Sequence, residues 1–314
     1  MTTGARETVF VTGAAGFIGS ELVKALVARR HRVFGLANSL EAAARVRRAG
    51  GVPVLGDLLT PGSWQDDVST DWVFHIPPHS VHGRRMTRRR AAAAGSARVR
   101  MDAHLLDAVA AGATRRIVYV GDTSCYGVTG GLRPVTEDAL PQRSGTGGYL
   151  MPALERLDGY VVAGQPIVGA FPGWVYGNGG WFRRSIIEPV MAGRRVLLFG
   201  RTGPWLSAIH VKDCARALIH LAEHGAPGGR YFVVNRDPIR LDEFAVAFAR
   251  LVHRRLRVFR LPKALTRLVM GPALADCWQR DAVFSNTRLR SLGFRCLYPT
   301  LDQGLRQILR ALDE

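Results

Sequence analysis

The sequence predicts an α/β protein built on a doubly wound parallel sheet, and three observations support this. A β-branched and aromatic run, Thr8–Val11, is followed by three spaced glycines and then by apolar residues at helical spacing. Predicted strands and helices then alternate three times as far as Trp72–Ile76, which is typical of a parallel sheet. The 314 residues are 47% hydrophobic and 22% charged, enough for a sizeable globular core.

The three glycines predict a turn that binds the pyrophosphate of a dinucleotide. Gly13 permits a tight turn off the strand, Gly16 lets the backbone approach a pyrophosphate, and Gly19 lets helix and strand pack closely. The helix that begins at Phe17 and Ile18 directs its unpaired N–H groups and its dipole at the anion. Such a triplet also occurs in ordinary loops, but here it stands between a strand and a helix, as the motif requires.

The second predicted strand, Arg32–Leu36, ends at Asn38 and Ser39, where we expect the adenosine ribose. An acidic residue at this tip would hold the hydroxyls of NAD, and a nearby arginine would suit the 2′-phosphate of NADP. Neither stands at the tip itself, but three arginines follow within the next predicted helix, Glu41–Ala49: Arg45, Arg47 and Arg48. The sequence therefore slightly favours NADP over NAD as the cofactor.

The third and fourth predicted strands end at further candidate cofactor contacts. Val52–Leu55 runs into Asp57 and Leu58, and Pro77 halts the fourth strand. Asp57 can accept a hydrogen bond from the adenine amino group, or it can form an Asx turn that caps the next segment.

Seven arginines lie between Arg84 and Arg100. They fit a solvated helix face and loop better than the alternative, an anion clamp at the mouth of the cleft. Helical spacing follows over Ser96–Ala111, and then a strand over Arg116–Val120. The stretch Val128–Gly148 is rich in glycine, proline and polar residues and predicts a long loop over the cleft.

The rest of the chain contains a looser pattern of helices and strands. In order, we predict a helix Tyr149–Tyr160 with Pro152 in its first turn, a strand Pro166–Phe171, a helix Trp181–Ala192, a strand Val196–Phe199, a helix starting near Val211, a strand Tyr231–Val234, and the helices Leu241–His253, Leu265–Met270 and Leu301–Leu312.

Seven segments in order carry a family resemblance: TGAAGFIG at Thr12–Gly19, GDL at Gly56–Leu58, VFH at Val73–His75, YG at Tyr126–Gly127, PGWVYG at Pro172–Gly177, SAIHVKD at Ser207–Asp213 and RLRSLGF at Arg288–Phe294. In these segments the chain resembles the extended short-chain dehydrogenase/reductase family, the NAD-dependent epimerase/dehydratase group. The resemblance implies a Rossmann domain for NAD(P), which we place at residues 1–175 with 205–235 returning to it. A smaller α/β substrate domain then comprises mainly residues 176–204 and 236–314.

The resemblance also implies a catalytic set of Ser or Thr, a Tyr, and a Lys four residues after the Tyr. The tyrosine acts as general acid or base, and the lysine lowers its pKa and binds the nicotinamide ribose. Tyr149 lies at a suitable distance for this tyrosine, although it can instead be an aromatic residue capping a helix. Four residues before Tyr126, where the family usually has Ser or Thr, stands Asp122, with Thr123 and Ser124 beside it.

The expected lysine is missing. Ala153 stands four residues after Tyr149, and no lysine occurs between residues 24 and 212. Arg143 and Arg156 are the nearby cations, but a guanidinium stays protonated and is poorly suited to proton exchange. Asp122 can act as the base if burial raises its pKa.

The resemblance places a substrate pocket among aromatic and polar residues, of which we expect about half to be core residues instead: Trp174, Tyr176, Asn178, Trp181, Arg201, Trp205 and His210. His210, with Asp213 three residues on, can equally be a structural hydrogen-bond centre. So many aromatic residues suit a flat or hydrophobic substrate at least as well as a sugar. His75 and His79 lack the partners of a metal site, so we assign no metal.

The net charge of +18 comes almost entirely from arginine, since only three of the 43 basic residues are lysines. A basic surface favours anionic partners such as nucleotides, phosphorylated substrates or acidic carrier proteins. No nucleic-acid-binding signature accompanies the charge, so we expect no nucleic acid. No apolar run reaches membrane-spanning length, and the four cysteines are scattered. We therefore expect a cytoplasmic protein with no membrane partner, and a homodimer stays open.

Together these features predict an atypical NAD(P)-dependent oxidoreductase or epimerase-type enzyme of specialised metabolism. Its small organic substrate can be aromatic, anionic or carrier-linked. Two alternatives stay open: a non-redox isomerase, dehydratase or cyclase using Asp122 or Tyr149 as acid or base, and a protein that senses NAD(P) without turnover. An intact glycine motif beside an incomplete catalytic set fits the sensing protein, whereas the polar and aromatic residues of the cleft favour an enzyme.

Overall fold

The computed structural model describes residues 6–77, 85–109, 114–127, 131–142, 147–200, 202–279 and 281–313. Its strands are β1 Thr8–Thr12, β2 Arg32–Ala37, β3 Val52–Leu55, β4 Trp72–His75, β5 Arg116–Val120, β6 Ile167–Pro172, β7 Trp174–Tyr176, β8 Val196–Phe199, β9 Trp205–Leu206, β10 Ala208–His210, β11 Arg230–Val233, β12 Ile239–Arg240 and β13 Val258–Leu261. Its helices are α1 Phe17–Ala28, α2 Leu40–Arg48, α3 Arg88–Val109, α4 Met151–Val162, α5 Gly180–Phe182, α6 Glu188–Met191, α7 Val211–His224, α8 Leu241–Leu251, α9 Lys263–Met270, α10 Pro272–Gln279, α11 Thr287–Ser291 and α12 Leu301–Asp313.

Seven strands form one parallel sheet in the order β11-β6-β5-β4-β1-β2-β3. In this register Val9 lies beside Val33 of β2 on one side and Trp72 of β4 on the other. The direction of strand succession reverses between β1 and β4, which opens a crevice at the carboxyl ends of these strands, where ligands bind in such sheets. The predicted doubly wound α/β fold is confirmed.

Helices cover both faces of the sheet, which is why its central strands are buried apolar runs. On one face α1 and α7 contribute Leu22 and Leu218 to a core that includes Val11. On the other face α3 and α4 contribute Leu105 and Leu154 to a second core. The crevice therefore rests on a rigid, fully packed support.

A third hydrophobic core lies outside the sheet and belongs to the C-terminal part of the chain. It is rich in phenylalanine, with Phe182, Phe244 and Phe248 packed against Ile308 of α12. Two parallel strands, β8 and β13, form its edge. Because β11 pairs with β6, residues 230–233 return to the large sheet. The domain boundaries that we drew from the sequence stay a prediction.

Two helices differ from their predicted form. The helix α3 begins at Arg88 rather than Ser96, because the alanine run at residues 91–94 is a strong helix former. The predicted helix Trp181–Ala192 is interrupted by a π turn, Arg183–Ile187, just before Pro189. Proline lacks an N–H, so the regular hydrogen-bond ladder cannot pass through it and the chain widens by one residue.

The predicted long loop Val128–Gly148 falls partly outside the described residues, namely at 128–130 and 143–146. In the part that the structure describes, Val135 forms an isolated parallel bridge with Phe284, and Gly147–Tyr149 is a 3-10 turn. No helix within the described residues is long and apolar enough to cross a membrane.

Candidate active site

The glycine turn between β1 and α1 has a backbone that only glycine can adopt. Gly13 has a φ of +64°, and a Cβ there would lie 1.9 Å from the carbonyl oxygen of Ile76. A Cβ on Gly19 would lie 2.1 Å from the carbonyl oxygen of Gly13. The N–H of Gly16 donates to that same oxygen at 2.9 Å. The turn is thus tight and bare, as the sequence predicts.

The first turn of α1 faces the crevice without a side-chain cap. Gly16 is the N-cap residue, and no side chain accepts from the N–H groups that follow it. Gly16, Phe17 and Ile18 all line the cleft. Uncapped N–H groups and the positive end of a helix dipole form an anion site. The turn therefore fits the pyrophosphate of a dinucleotide.

The adenosine side of the cleft contains most of the residues predicted for it. Asn38, Asp57, Leu58 and Pro77 line the cleft, and so does Arg45 from the exposed face of α2. The guanidinium of Arg45 lies 2.7 Å from Glu41 one turn earlier. Arg45 is thereby held at the same end of the cleft as Asn38.

Two residues at this side have local structural roles. Ser39 does not line the cleft; its Oγ caps α2 by accepting from the N–H of Ala42 at 3.1 Å. Asp57 accepts from the N–H of Leu59 at 2.9 Å, which is the Asx turn given as its alternative role. Because Asp57 also lines the cleft, its two predicted roles are compatible.

One continuous cleft of about 780 Å³ runs from the glycine turn to a wall of tryptophans. That volume is in the range of ligand pockets in proteins, about 300–1,000 Å³. Trp174, Trp181 and Trp278 form the wall and contact one another edge to face, with ring centroids 4.9–5.8 Å apart. Leu274 and Phe284 extend this apolar wall, and the charged residues Arg184, Asp276 and Asp281 also line the cleft.

Between these two ends lies the segment after β5, which carries the polar groups. Asp122, Thr123 and Ser124 all line the cleft. Asp122 accepts from the N–H of Ser124 at 2.7 Å, and Thr123 Oγ1 donates to the carbonyl oxygen of Pro172 at 3.4 Å. Ser124 Oγ is buried and has no hydrogen-bond partner among the residues that the structure describes. The residue Ser124 therefore lines the cleft with atoms other than this oxygen.

Arg98 is a cleft residue that the sequence analysis does not predict, because it places all seven arginines of this stretch on a solvated face. Arg98 is in fact buried, so the prediction of a solvated side chain is wrong for this residue. Its Nε donates to Asp102 at 2.7 Å, its Nη2 donates to the carbonyl oxygen of Val120 at 2.9 Å, and its guanidinium lies 4.7 Å from the ring centre of Tyr119. Only the i,i+4 spacing of Arg98 and Asp102 on one helix signals this pair in the sequence.

The carboxylate of Asp102 anchors a buried network below the cleft. It accepts from Tyr119 at 2.7 Å and lies 2.8 Å from Nε2 of His75, whose Nδ1 is 2.9 Å from Thr12 Oγ1. Burial lowers the pKa of His75 and raises that of Tyr119. Burial alone would lower the pKa of Arg98, but Tyr119 and Asp102 raise it above its usual value. The network thus contains one fixed ion pair and keeps Arg98 charged.

Four of the residues predicted for the substrate do not line the cleft, and one of them, Trp205, packs against the guanidinium of Arg240 at 4.5 Å. Tyr176 is buried against Phe182 in the third core. Asn178 is tied to the C-terminal helix through the carbonyl oxygen of Ala311. His210 caps α7 by accepting from the N–H of Lys212, and burial lowers its pKa to about 4. Arg201 lies outside the described residues, and of the predicted set Trp174 and Trp181 line the cleft.

The model of the NAD dependent epimerase/dehydratase family matches residues 9–235 of this sequence. The chain belongs to that family. The match spans the glycine turn and the strands of the large sheet, and it ends before the cleft residues Leu274, Trp278 and Phe284.

Two curated relatives of this chain are named as a dehydrogenase and a ketoreductase. It is 27% identical over 259 residues to a 3-beta-hydroxysteroid dehydrogenase of Mycolicibacterium neoaurum, covering 76% of this chain and 68% of the relative. It is 28% identical over 244 residues to a 4-hydroxy-2-methyl-3-oxo-4-farnesyl-3,4-dihydroquinoline-1-oxide ketoreductase of Stigmatella aurantiaca, covering 75% and 70%. A further match to an uncharacterized protein of Schizosaccharomyces pombe is 58% identical but spans only 50 residues, 16% of this chain and 17% of that protein.

Solved structures show the same fold at low identity. A human epimerase family protein with NADPH superposes with a TM-score of 0.78 at 20% identity, covering 96% of this chain and 99% of that one. A UDP-glucuronic acid 4-epimerase of Bacillus cereus, in complex with UDP-glucuronic acid and NAD, gives 0.81 at 18% identity, covering 98% and 99%. These neighbours bind NAD or NADPH, and they show the fold alone.

Tyr149, the predicted catalytic tyrosine, lies away from the cleft. Its side chain is half-buried against Met86, Ala91 and Ala273 and does not line the cleft. Its carbonyl oxygen lies 2.1 Å from where a Cβ on Gly95 would be, so α3 fits closely against it. Among the described residues, neither a tyrosine nor a lysine lines the cleft. The catalytic role of Tyr149 stays a prediction, and Arg143, one substitute considered for the lysine, lies outside the described residues.

One group of side chains within the described part of the chain has the spacing of metal ligands. His220, Glu223 and His224 offer donor atoms within 4.8 Å of one another on α7. Glu223 is paired with Arg29 at 2.9 Å, and Nε2 of His220 lies 3.0 Å from the carbonyl oxygen of Leu292. None of the three lines the cleft, so the group has no part in its chemistry.

Proposed function

We propose that this chain is an NADP(H)-dependent enzyme that interconverts a carbonyl group and an alcohol on a small, largely apolar molecule. The observation that carries the proposal is the continuity of the cleft. The bare glycine turn, the polar segment Asp122–Ser124 and the tryptophan wall line a single cavity. A dinucleotide held at one end can thus meet a substrate held at the other.

The cofactor end offers each contact that a dinucleotide phosphate needs. The glycine turn and the first turn of α1 would bind the pyrophosphate, because their N–H groups are uncapped. Arg45 would bind the 2′-phosphate of NADP, since a guanidinium forms strong charge-assisted hydrogen bonds with phosphate. A bound nicotinamide supplies a hydride in reduction or takes one up in oxidation.

The middle of the cleft would handle the substrate oxygen and its proton. Asp122 and Ser124 line this part of the cleft, so they would lie next to the substrate oxygen. Asp122 is the titratable carboxyl group in this segment, and its hydrogen bond to the N–H of Ser124 fixes its position. In alcohol oxidation Asp122 would take up the proton that the hydroxyl loses, and in reduction it would return it.

The far end of the cleft favours a flat, apolar substrate. Indole rings set edge to face offer broad apolar surfaces and few hydrogen-bond partners for sugar hydroxyls. Relatives named for a hydroxysteroid and a farnesylated dihydroquinoline support the same class. Arg184 also lines the cleft and would accommodate an anionic or carrier-linked substituent.

The experiment that tests this proposal has two stages. Isothermal titration first measures NADPH and NADH binding, and absorbance at 340 nm then follows NADPH oxidation with steroid ketones, dihydroquinolones, aromatic ketones and UDP-sugars. We expect NADPH to bind more tightly than NADH, and ketones with apolar rings to be reduced. Absence of binding for both nucleotides would refute the proposal.

A second candidate function is binding of NADP(H) without turnover. It is favoured by one observation: among the described residues, no tyrosine or lysine lines the cleft. Tight NADPH binding together with no oxidation by any ketone of the panel would support this candidate. A non-redox isomerase or dehydratase that uses Asp122 as its base would give the same result at 340 nm. Chromatography of the substrates would separate the two.

A further inference from the structure

The helix α9 exposes its apolar side chains and buries a polar one. Leu265, Leu268 and Val269 are 47%, 65% and 56% exposed, whereas Thr266 is fully buried. The three aliphatic residues lie at i, i+3 and i+4 and therefore share one face of the helix. In α7, by contrast, Leu218 is fully buried. Surface helices normally turn their apolar face to the core, so the inversion in α9 marks an interaction surface.

A cluster of arginines lies near the C-terminal end of α9. The N–H of Met86 donates to the carbonyl oxygen of Met270 at 2.7 Å, and a Cβ on Gly271 would lie 2.3 Å from the carbonyl oxygen of Met86. The segment that leads into α3 therefore lies against the end of α9. That segment and the first turn of α3 carry four exposed arginines: Arg85, Arg88, Arg89 and Arg90.

The positive charge here is not balanced by acidic residues of the same segments. No aspartate or glutamate occurs between residues 85 and 101 or between 263 and 275. Asp276, the nearest acidic residue beyond α9, forms an ion pair with Arg267 at 3.1 Å. Arg85, Arg89 and Arg90 line a shallow depression with Thr87 and Ala93. The surface thus combines three aliphatic side chains with a cationic concavity.

We propose that α9 and the arginines at the start of α3 form a docking surface for an anionic phospholipid bilayer. Guanidinium groups bind phosphate oxygens in pairs, and aliphatic side chains on one helix face enter the boundary between headgroups and acyl chains. An anionic bilayer offers phosphate groups to the arginines and, beneath them, acyl chains to the aliphatic side chains of α9. Peripheral docking needs no spanning helix, so it revises our expectation of no membrane partner, which rested on the length of apolar runs.

A second copy of this chain fits the surface less well. A two-fold contact through α9 would bring the same arginines of both copies together, and facing like charges disfavour association. A bilayer also suits the position of the surface in the fold. The next helix, α10, contributes Leu274 and Trp278 to the apolar end of the cleft. If the proposed function holds, an apolar substrate would pass from lipid to that end of the cleft.

The test is flotation of the full-length protein with vesicles. One set contains phosphatidylcholine alone, and the other contains equal parts of phosphatidylcholine and phosphatidylglycerol. We expect binding to the anionic vesicles only, weakened by high salt. Leu268→Glu with Val269→Glu should lower the partition coefficient at least about tenfold, because two aliphatic contacts are lost and two like charges are added. Arg89→Ala with Arg90→Ala should lower it about 25-fold, since each arginine contributes about fivefold near an anionic surface.

Controls separate docking from general adsorption of a basic protein. Val162→Glu adds one charge at a position 88% exposed at the end of α4 and should bind vesicles like the wild type. All variants should keep the wild-type NADPH affinity and circular dichroism spectrum, so loss of docking is distinguishable from loss of the proposed function. Unchanged binding of the Leu268→Glu, Val269→Glu variant would show adsorption by net charge and overturn the proposal. So would absence of binding to anionic vesicles, or a wild-type dimer in size-exclusion chromatography that this variant converts to a monomer.

Discussion

The two ends of the cleft are built in different ways. At the cofactor end, the contacts are backbone groups and short side chains that follow consecutive parallel strands: Gly16 after β1, Asn38 after β2 and Asp57 near the end of β3. At the far end, the wall is assembled from Trp174, Trp181 and Trp278, which lie up to a hundred residues apart in the chain. The first end is set by local sequence order, and the second by tertiary packing.

This difference separates the glycine turn, which backbone geometry defines, from the rest of the cleft, which side chains define. The cofactor end keeps the geometry that binds a dinucleotide, since a Cβ would clash at Gly13 and at Gly19. Tyr149 packs in a small apolar cluster away from the cleft, whereas Asp122, Ser124 and Arg98 line the middle of the cleft. Each end of the cleft can therefore be altered by a substitution that leaves the other end unchanged.

The largest effect is expected at the glycine turn. Gly16→Asp places a carboxylate where the uncapped N–H groups of α1 would bind a pyrophosphate. Like charges repel there, and the side chain fills the space, so we expect NADPH affinity to fall by about a thousandfold or more. Isothermal titration measures this change. Gly159→Asp is the control, because a Cβ on Gly159 meets no atom within 4 Å. Near-equal affinity in the two variants would remove the turn from the cofactor site.

The next effect concerns the middle of the cleft. Asp122→Asn removes the carboxyl group that we propose for proton transfer, so turnover should fall by about two to three powers of ten with little change in NADPH affinity. Tyr149→Phe removes a hydroxyl that does not line the cleft, so turnover should change less than about threefold. Rates are measured with the best ketone of the panel. A loss of two or more powers of ten in Tyr149→Phe would instead assign the proton transfer to Tyr149.

The cofactor end could be predicted from the sequence because its signals are local. Strand, glycine turn and helix follow one another from Thr8 to Ala28, and the tips of β2 and β3 follow in order. Each contact then needs only the rule that ligands bind at the carboxyl ends of parallel strands. Ser39 is the exception, because a serine before a helix serves equally well as an N-cap, and here it does.

The far end could not be predicted to the same degree. Trp278 lies on α10, a helix that the sequence analysis does not predict, and it packs in the cleft wall against Trp174 and Trp181. Burial is also a tertiary property, so Arg98 could not be told from its exposed neighbour Arg100 by residue type. Tyr176 and His210 show the reverse error, since aromatic residues near a predicted pocket can belong to the core beneath it.

A pH experiment tests whether His210 belongs to the core rather than to the cleft. Burial lowers its pKa to about 4, so between pH 6.5 and 4 the unfolded chain binds more protons than the folded one. The free energy of unfolding should therefore fall as the pH is lowered through this window, by up to about 3 kcal/mol from this residue. Its contribution is fully present above pH 6.5.

His210→Asn keeps a side chain that caps helices but does not titrate. Its free energy of unfolding, measured by urea titration at several pH values, should fall less steeply between pH 6.5 and 4 than that of the wild type. His253→Asn, at an exposed position, controls for the loss of one histidine. If the free energy of unfolding has the same pH dependence in His210→Asn and the wild type, His210 is not buried as described. A changed KM for the substrate in this variant would indicate that His210 contacts the substrate.

The smallest expected effect distinguishes the two nicotinamide nucleotides. Arg45 lines the cleft from an exposed position beside Glu41, where solvent weakens its electrostatic interactions. Arg45→Ala should raise the Kd of NADPH about tenfold, because one charge-assisted hydrogen bond to the 2′-phosphate is lost. The Kd of NADH should change less than about twofold, since NADH carries no phosphate there. Arg48→Ala is the matched control on the same helix, at a position that does not line the cleft. An equal loss of affinity for NADPH and for NADH would show that Arg45 does not select NADP. The proposed preference for NADP would then lack the cationic side chain on which it rests.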